Sequence, residues 1–281
     1  MDFNTLNTGT KMPSIGIGTY QLTPDEAERS CLEALSLGYR LIDTANAYVN
    51  EKAVGRAMKS SGLNRDEIFL ETKLWPAFYE DDNCVDKTLE RLNTDYIDLL
   101  LIHQPAGNYM VGYKQMERAF KVGKVKAIGL SNFKKEQIEE VLNTCEVRPS
   151  VLQTELHPYL QEEKLVEYLH EQNIVAQSWY PLGHGDANLI NEPVFVELGK
   201  KYGKTSAQII LRWHVQMGFN VIPGSKNKDH IKVNFEIFDF ELTPDEMQSI
   251  RNMNKEERYY TATPEMLEQF AALVPEVDTQ K

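Results

Sequence analysis

The chain is short of positive charge. Its 30 lysines and arginines face 42 aspartates and glutamates, a formal balance of −12, and no basic stripe offsets it. Such a field repels nucleic acid and anionic membrane surfaces, so neither is an expected partner. Any anionic ligand has to be held by local contacts. Long apolar runs are also missing: the best stretches, such as Ile97 to Ile102, are interrupted within strand length, far from the ~18 residues a membrane helix needs. Met1-Asp-Phe-Asn has neither the basic start nor the apolar core of a secretory signal. Cysteine is scarce. The three present (Cys31, Cys84, Cys145) form no CxxC pair and fall in helix-like stretches, which points to reduced thiols in a reducing compartment. No HxH, HExxH or acidic cluster offers a metal site. The expectation is a cytoplasmic, metal-free protein. Nothing in its surface pattern demands a dimer, so a monomer is expected.

What is present alternates. A hairpin is predicted from Phe3 to Leu6 and Lys11 to Pro13 about Asn7-Thr-Gly-Thr. The short strand Ile15-Gly-Ile-Gly18 precedes a helix opened by Thr23-Pro-Asp-Glu26, with Thr as cap, Pro at the first helical position and Glu three residues after the cap. Ala27, Cys31, Leu32 and Leu35 share one face of it, and Gly38 stops it. Further strands are predicted at residues 39–43, 68–73, 96–103, 126–130, 151–155, 174–179 and 220–223. Helices are predicted at 51–59, 84–92, 114–121, 136–142, 162–170, 192–201, 206–216 and 229–235. A second Thr-Pro-Asp-Glu box at Thr243 opens an extra helix, and the tail from Thr261 is expected to be irregular. Eight strand–helix units require parallel pairing and right-handed crossovers, and they close naturally into a (β/α)8 TIM barrel. A doubly wound sheet is the competing α/β arrangement. No linker or composition shift divides residues 1–281, so one domain is expected.

Three successive strands finish on chemistry. Leu41-Ile42 runs into Asp43, with Tyr48 five residues on; the next strand delivers Lys73, and the one after it delivers His103. Titratable residues after apolar runs are what a barrel uses to build a site at one face. Singly, each has a structural explanation; together on consecutive strands they point to catalysis. A phenol titrates near ~10, and a neighbouring ammonium is expected to lower that value, with a carboxylate holding the ammonium. An imidazole beside them can orient a carbonyl oxygen. This is equipment for protonating that oxygen while hydride arrives at carbon. No activated Ser or Cys accompanies it, which argues against acyl transfer.

The segments Gly38-Tyr-Arg-Leu-Ile-Asp-Thr-Ala-Asn-Ala-Tyr48, Thr72-Lys-Leu-Trp75, Leu99-Leu-Leu-Ile-His103, Ile128-Gly-Leu-Ser-Asn-Phe133 and Val221-Ile-Pro-Gly-Ser225 resemble the aldo-keto reductases along nearly the whole chain. The loop lengths and His103-Gln-Pro are most similar to a bacterial-type branch that includes diketogluconate and methylglyoxal reductases. The resemblance implies a barrel with a hairpin over its base, NAD(P)H as hydride donor, and reduction of a small-molecule carbonyl to an alcohol. It implies Tyr48 as general acid, Asp43 and Lys73 as its tuning pair, and His103 as the residue that places the carbonyl.

The cofactor grip follows from the same resemblance. Gly16-Ile-Gly18 is a weak dinucleotide signal by itself, lacking a third glycine and an acidic ribose partner. The resemblance implies binding across the barrel mouth instead, with Gly18 and Thr19 at its edge. Ser131, Asn132 and Gln153 suit a carboxamide, and Trp179 can stack on the nicotinamide. Pro181, Leu182 and Gly183 form a loop toward the pyrophosphate. Gly224, Ser225, Lys226, Asn227 and His230 lie toward the ribose phosphate, and Asn234 toward adenine. Members that prefer NADPH usually carry Lys and Arg where this chain has Gly224 and His230. Losing two fixed cations weakens the hold on a dianion, so NADPH with usable NADH activity is expected. On the substrate side stand Tyr20, Trp75 and Gln104, with short loops that imply an open mouth. The alternative reading is a cofactor-sensing or structural protein on the same barrel; retention of all four site residues argues against it.

Overall fold

In the computed structural model, which describes residues 1–280, helix starts follow the side chains that cap them. Thr23, Thr205 and Thr243 each accept the backbone N–H three residues on, and the Glu or Gln at that position accepts the threonine's own N–H. The hairpin strands are β1 (Phe3–Thr5) and β2 (Lys11–Pro13). Eight further strands carry the fold: β3 (Ile17–Gly18), β4 (Leu41–Asp43), β5 (Phe69–Leu74), β6 (Leu99–Ile102), β7 (Ile128–Ser131), β8 (Val151–Glu155), β9 (Val175–Trp179) and β10 (Asn220–Val221). Between them run α1 (Pro24–Ser36), α2 (Glu51–Ser60), α3 (Cys84–Leu92), α4 (Tyr109–Lys121), α5 (Lys135–Thr144) and α6 (Glu163–Glu171). The short α7 (Ala187–Ile190), α8 (Pro193–Tyr202), α9 (Ser206–Gln216), α10 (Lys228–Phe235), α11 (Pro244–Arg251) and α12 (Pro264–Ala272) complete the chain.

The eight strands pair in chain order, all parallel. Single parallel bridges, Ile15 to Val221 and Gly18 to Gly224, join the two edges and close the barrel. Side chains alternate across each strand. Ile42, Leu70, Leu100, Ile102, Ile128 and Leu152 point outward into the main core beneath the helices. Leu41, Phe69, Leu99, Leu101 and Val151 point inward, where Leu6 and Met12 of the hairpin plug the base. The hairpin therefore covers the barrel base, as the resemblance implied, and keeps water out of the barrel floor. One step further along the same inward faces the layer turns polar, with Glu71, Gln153, Gln177 and Asn220 all buried.

Two segments depart from the sequence expectation. Helix α4 begins at Tyr109 rather than Lys114, because Gly112 lets the helix lie against the Tyr79 ring; a Cβ there would stand 2.7 Å from it. The tail is not irregular: Thr263 caps α12 by accepting the Met266 N–H, and Phe270 packs edge-on against Trp75. The tail then ties back to the barrel, where the Gln280 side chain accepts the Lys52 N–H at 3.0 Å. The thiols of Cys31, Cys84 and Cys145 are unpaired. Among the described residues no helix is long and apolar enough to cross a membrane.

Candidate active site

Inward alternation and strand length decide which residues reach the barrel mouth. Asp43 is the last residue of β4, Lys73 comes next to last in β5, and His103 follows β6 directly. Tyr48 reaches the same point from a single 3₁₀ turn, Asn46–Tyr48. Asn46 anchors that turn by donating to Glu51 (2.9 Å) and Thr88 (3.2 Å). Asn50 ties the far side to the carbonyls of Thr19 (3.0 Å) and Leu22 (3.1 Å). Val49 leaves the turn at φ 55°, a left-handed conformation that costs a β-branched residue about 1–2 kcal/mol. The anchoring asparagines hold that strain in place.

Lys73 is fully buried and spends each proton of its ammonium on a named acceptor. Nζ donates to the Asp43 carboxylate, to the Thr44 carbonyl at 2.9 Å and to the Tyr48 hydroxyl at 3.2 Å. Burial opposes the Lys73 charge, but Asp43, Tyr48 and Glu71 outweigh it, and its pKa is raised. The expected lowering at Tyr48 is not what the environment produces. Burial raises the phenol's pKa, Lys73 pulls it back only in part, and Asp43 adds to the rise. Tyr48 is therefore a neutral phenol at physiological pH, the state a proton donor requires. Burial and the Lys73 charge hold His103 well below the ordinary imidazole range, so it is neutral too. Its ring meets Tyr48 and Trp75 edge-on, with centroids 5.6 and 5.1 Å away.

These residues floor a cleft of about 880 Å³. Asp43, Tyr48, His103 and Gln104 line its centre, with Tyr20 and Trp75 on one wall. Ser131, Asn132, Gln153 and Trp179 line the opposite side, and Gly18, Pro181, Leu182, Gly224, Ser225 and Lys226 extend it along the rim. Asn132 lies at φ 66° and receives the Trp179 Nε1–H at 2.9 Å, which fixes the indole's orientation. Its amide group donates to the His103 carbonyl at 3.2 Å, so the two sides of the cleft are joined. Other expected residues stand back from the lining. Lys73 is sealed behind Tyr48. Thr19 is a buried peg on the Asp43 carbonyl, at 3.0 Å. Gly183 packs under Leu189 and Tyr259. Asn227 caps α10, Asn234 is buried on that helix, and His230 is exposed on it.

The tail adds Tyr260, Phe270, Leu273 and Pro275 to the cleft wall, none of them anticipated. A third Thr-Pro pair, Thr263-Pro264, was the available signal. Glu71 was also overlooked, although it lies two residues before Lys73 and so shares its inward face. It accepts from Gln153 (2.8 Å) and Gln177 (2.7 Å), directly beneath the Asp43–Lys73 pair.

A reduced dinucleotide fits this cleft on two counts. The buried His103 Nδ1 and Gln104 Oε1 have no protein partner, so the lining offers unspent polar atoms. The rim at Gly224 is bare backbone, where a Cβ would meet the Gly18 carbonyl at 3.1 Å. A groove with such a floor can supply a proton to a substrate held beside a dinucleotide.

Comparison with known proteins converges on the same point. The Aldo/keto reductase family profile matches residues 12–255. The chain is 39% identical to aldo-keto reductase family 1 member A1 of Xenopus tropicalis, across 92% of this chain and 90% of that protein. It is 40% identical to glyoxal reductase of Bacillus subtilis, across 93% and 96%. Among solved structures, an aldo-keto reductase from a Medee basin deep-sea metagenome library, MGS-M4, superposes with a TM-score of 0.89 at 38% identity, covering 92% of this chain and 97% of that one. The aldose reductase of Schistosoma japonicum gives 0.88 at 33% identity, covering 93% and 95%. With the barrel, the mouth-facing quartet and these matches together, the chain belongs to the aldo/keto reductase family, and its activity is NAD(P)H-dependent reduction of a carbonyl to an alcohol.

Proposed function

We propose that the chain reduces small aldehydes and ketones with Tyr48 as the proton donor. The observation that carries this is the Tyr48 hydroxyl, at the cleft floor and 3.2 Å from a fully buried ammonium. When bound, the reduced nicotinamide supplies the hydride. Tyr48 releases its proton to the carbonyl oxygen, and the developing phenolate is stabilised by Lys73, whose position Asp43 fixes. His103, neutral and edge-on to Tyr48, donates a hydrogen bond that orients the same oxygen. Ser131, Asn132, Gln153 and Trp179 hold the nicotinamide end. The 181–185 loop and Gly224 to Asn227 receive the phosphates, and Asn234 lies toward adenine. Trp75, Phe270 and Leu273 give the substrate an apolar wall, which favours small carbonyls with an apolar substituent; short dicarbonyls are the first class to screen, given the relative named for glyoxal. We place the enzyme as a monomer in a reducing cytoplasm, consistent with its three unpaired thiols.

Cofactor preference is relaxed in this reading. Gly224 contributes no cation, His230 is exposed, and Lys226 is already engaged by Glu26 at 3.1 Å. Trp179 fluorescence, titrated with NADPH and with NADH, tests the reading. Affinities within about tenfold, some 1.4 kcal/mol, support relaxed preference. Binding of NADPH with NADH silent means that Ser225 and the nearby lysines rebuild a phosphate site. Silence from both overturns Trp179 as the nicotinamide's partner.

A further inference from the structure

The polar layer beneath the catalytic pair holds one acid too many. Asp43 and Glu71 are register partners on neighbouring strands, and both point into the barrel. Lys73 is the cation that faces them, and its three protons go to Asp43, Thr44 and Tyr48, leaving none for Glu71. From the other strands around Glu71 come neutral groups: Leu99 on β6, Gln153 on β8, Gln177 on β9 and Asn220 on β10. The amide hydrogens do not suffice either. Gln153 Nε2 has two, and three acceptors stand within reach: Asp43 at 3.1 Å, Glu71 at 2.8 Å and Gln177 at 2.8 Å. Both hydrogens of Gln177 Nε2 are taken, by Glu71 and by Asn220 at 2.8 Å. Four amide hydrogens thus face five acceptor contacts around a Glu71 that is wholly out of water.

We propose that Glu71 is a positioning residue for the proton-donating tyrosine: it is carried as a neutral carboxylic acid whose O–H is donated to Asp43. One added proton supplies the missing hydrogen and leaves the cluster with one ammonium and one carboxylate. Asp43 lies within hydrogen-bonding reach of Glu71, and burial followed by the Asp43 charge pushes the Glu71 pKa well up. Asp43 then receives both Glu71, its register partner, and Lys73, which holds the ammonium at Tyr48. An ionised Glu71 would instead offer Lys73 a second carboxylate and draw it down into the barrel. The proposal rests on Tyr48 being the proton donor, but its charge state is testable without that.

Infrared spectroscopy at neutral pH gives the direct reading. The carbonyl stretch of a buried protonated carboxyl is expected in the wild-type protein and absent from Glu71→Gln. Kinetics supply the second reading. Glu71→Leu, which keeps bulk but neither donates nor accepts, is expected to lower kcat about tenfold while KM for the carbonyl moves less than about twofold. Glu71→Gln, which keeps a donor and an acceptor, is expected to recover most of that loss. Its alkaline limb in kcat/KM should stay within about half a pH unit of wild type, since no charge has been removed. Absence of the infrared band overturns the proposal. So does a Glu71→Gln limb shifted down by a unit or more, the mark of a lost negative charge, or a kcat as poor as that of Glu71→Leu. If Tyr48→Phe keeps its activity, the tyrosine reading falls while the infrared band still decides the charge of Glu71.

Discussion

Strand β5 carries a buried ion pair on each face, and the two pairs are built to opposite ends. Inside the barrel, Lys73 meets Asp43; outside it, Thr72 touches Glu51, which pairs with Arg91 at 2.6 Å. Both pairs are nearly or wholly out of water. Around Glu51 the partners balance. One oxygen accepts from Thr72 (2.8 Å) and Asn46 (2.9 Å), the other from Arg91, and Arg91 donates onward to Thr88 at 3.0 Å. The Lys73 side opens on a cleft, carries the surplus acid Glu71, and aims its ammonium at a phenol. Balance makes the outer pair a clamp between α2, α3 and β5. In the mechanism proposed above, imbalance makes the inner pair a device for holding a proton where a substrate can take it. Burial alone therefore does not mark a functional ion pair; an unspent face does.

The comparison breaks most visibly at Tyr48. Tyr48→Phe removes the proton but not the ring, so kcat is expected to fall on the order of 10²- to 10⁴-fold while the melting temperature holds. Steady-state kinetics beside a thermal melt checks both halves. The outer pair should show the reverse. Glu51→Ala strands a buried guanidinium and is expected to cost about 3–5 kcal/mol in urea unfolding, with the kcat of the remaining folded enzyme little changed. If Glu51→Ala instead lost turnover at full stability, the division between clamp and proton device would be wrong.

Buried imidazoles sharpen the contrast under acid. His214, sealed behind β9 against the Leu156 and Ile210 carbonyls, has its pKa lowered by burial to about 4. The unfolded chain takes up that proton near ~6.5, so stability is full above this value and is lost as pH falls toward the folded value, on the order of 3 kcal/mol in all. Unfolding measured between pH 7 and 4.5 should show the slope, and His214→Gln should flatten part of it. The smallest effect belongs to the turn that links the two pairs. Val49→Asn suits the left-handed backbone better and is expected to add about 1 kcal/mol of stability, read as a raised urea midpoint.

Much of this was legible in the sequence, and for a reason. Barrel strands are short apolar runs whose inward alternation is set by the pleat, so Asp43, Lys73 and His103 could be placed at one mouth from spacing alone. The Thr-Pro-Asp-Glu boxes gave two helix starts because capping is local chemistry. What stayed hidden depends on groups far apart in the chain. Gln153, Gln177 and Glu71 meet only through strand register, the bonded partners standing 82 and 106 positions apart in the chain. The direction of the Tyr48 shift could not be read either, because the phenol's burial outweighs the ammonium beside it. Helix α12 buries no residue fully; it rests on its Thr263 cap and on the Phe270–Trp75 contact, which joins residues far apart in the chain.

The tail gives the cleft a history as well as a wall. Tyr260, Phe270, Leu273 and Pro275 are translated after every barrel strand, and at roughly 5–20 residues per second the ribosome takes seconds to deliver them once β10 has emerged. The tail side of the cleft wall is thus the last part of it to be made. That wall is complete only when Phe270 settles on Trp75 and Gln280 fastens to α2.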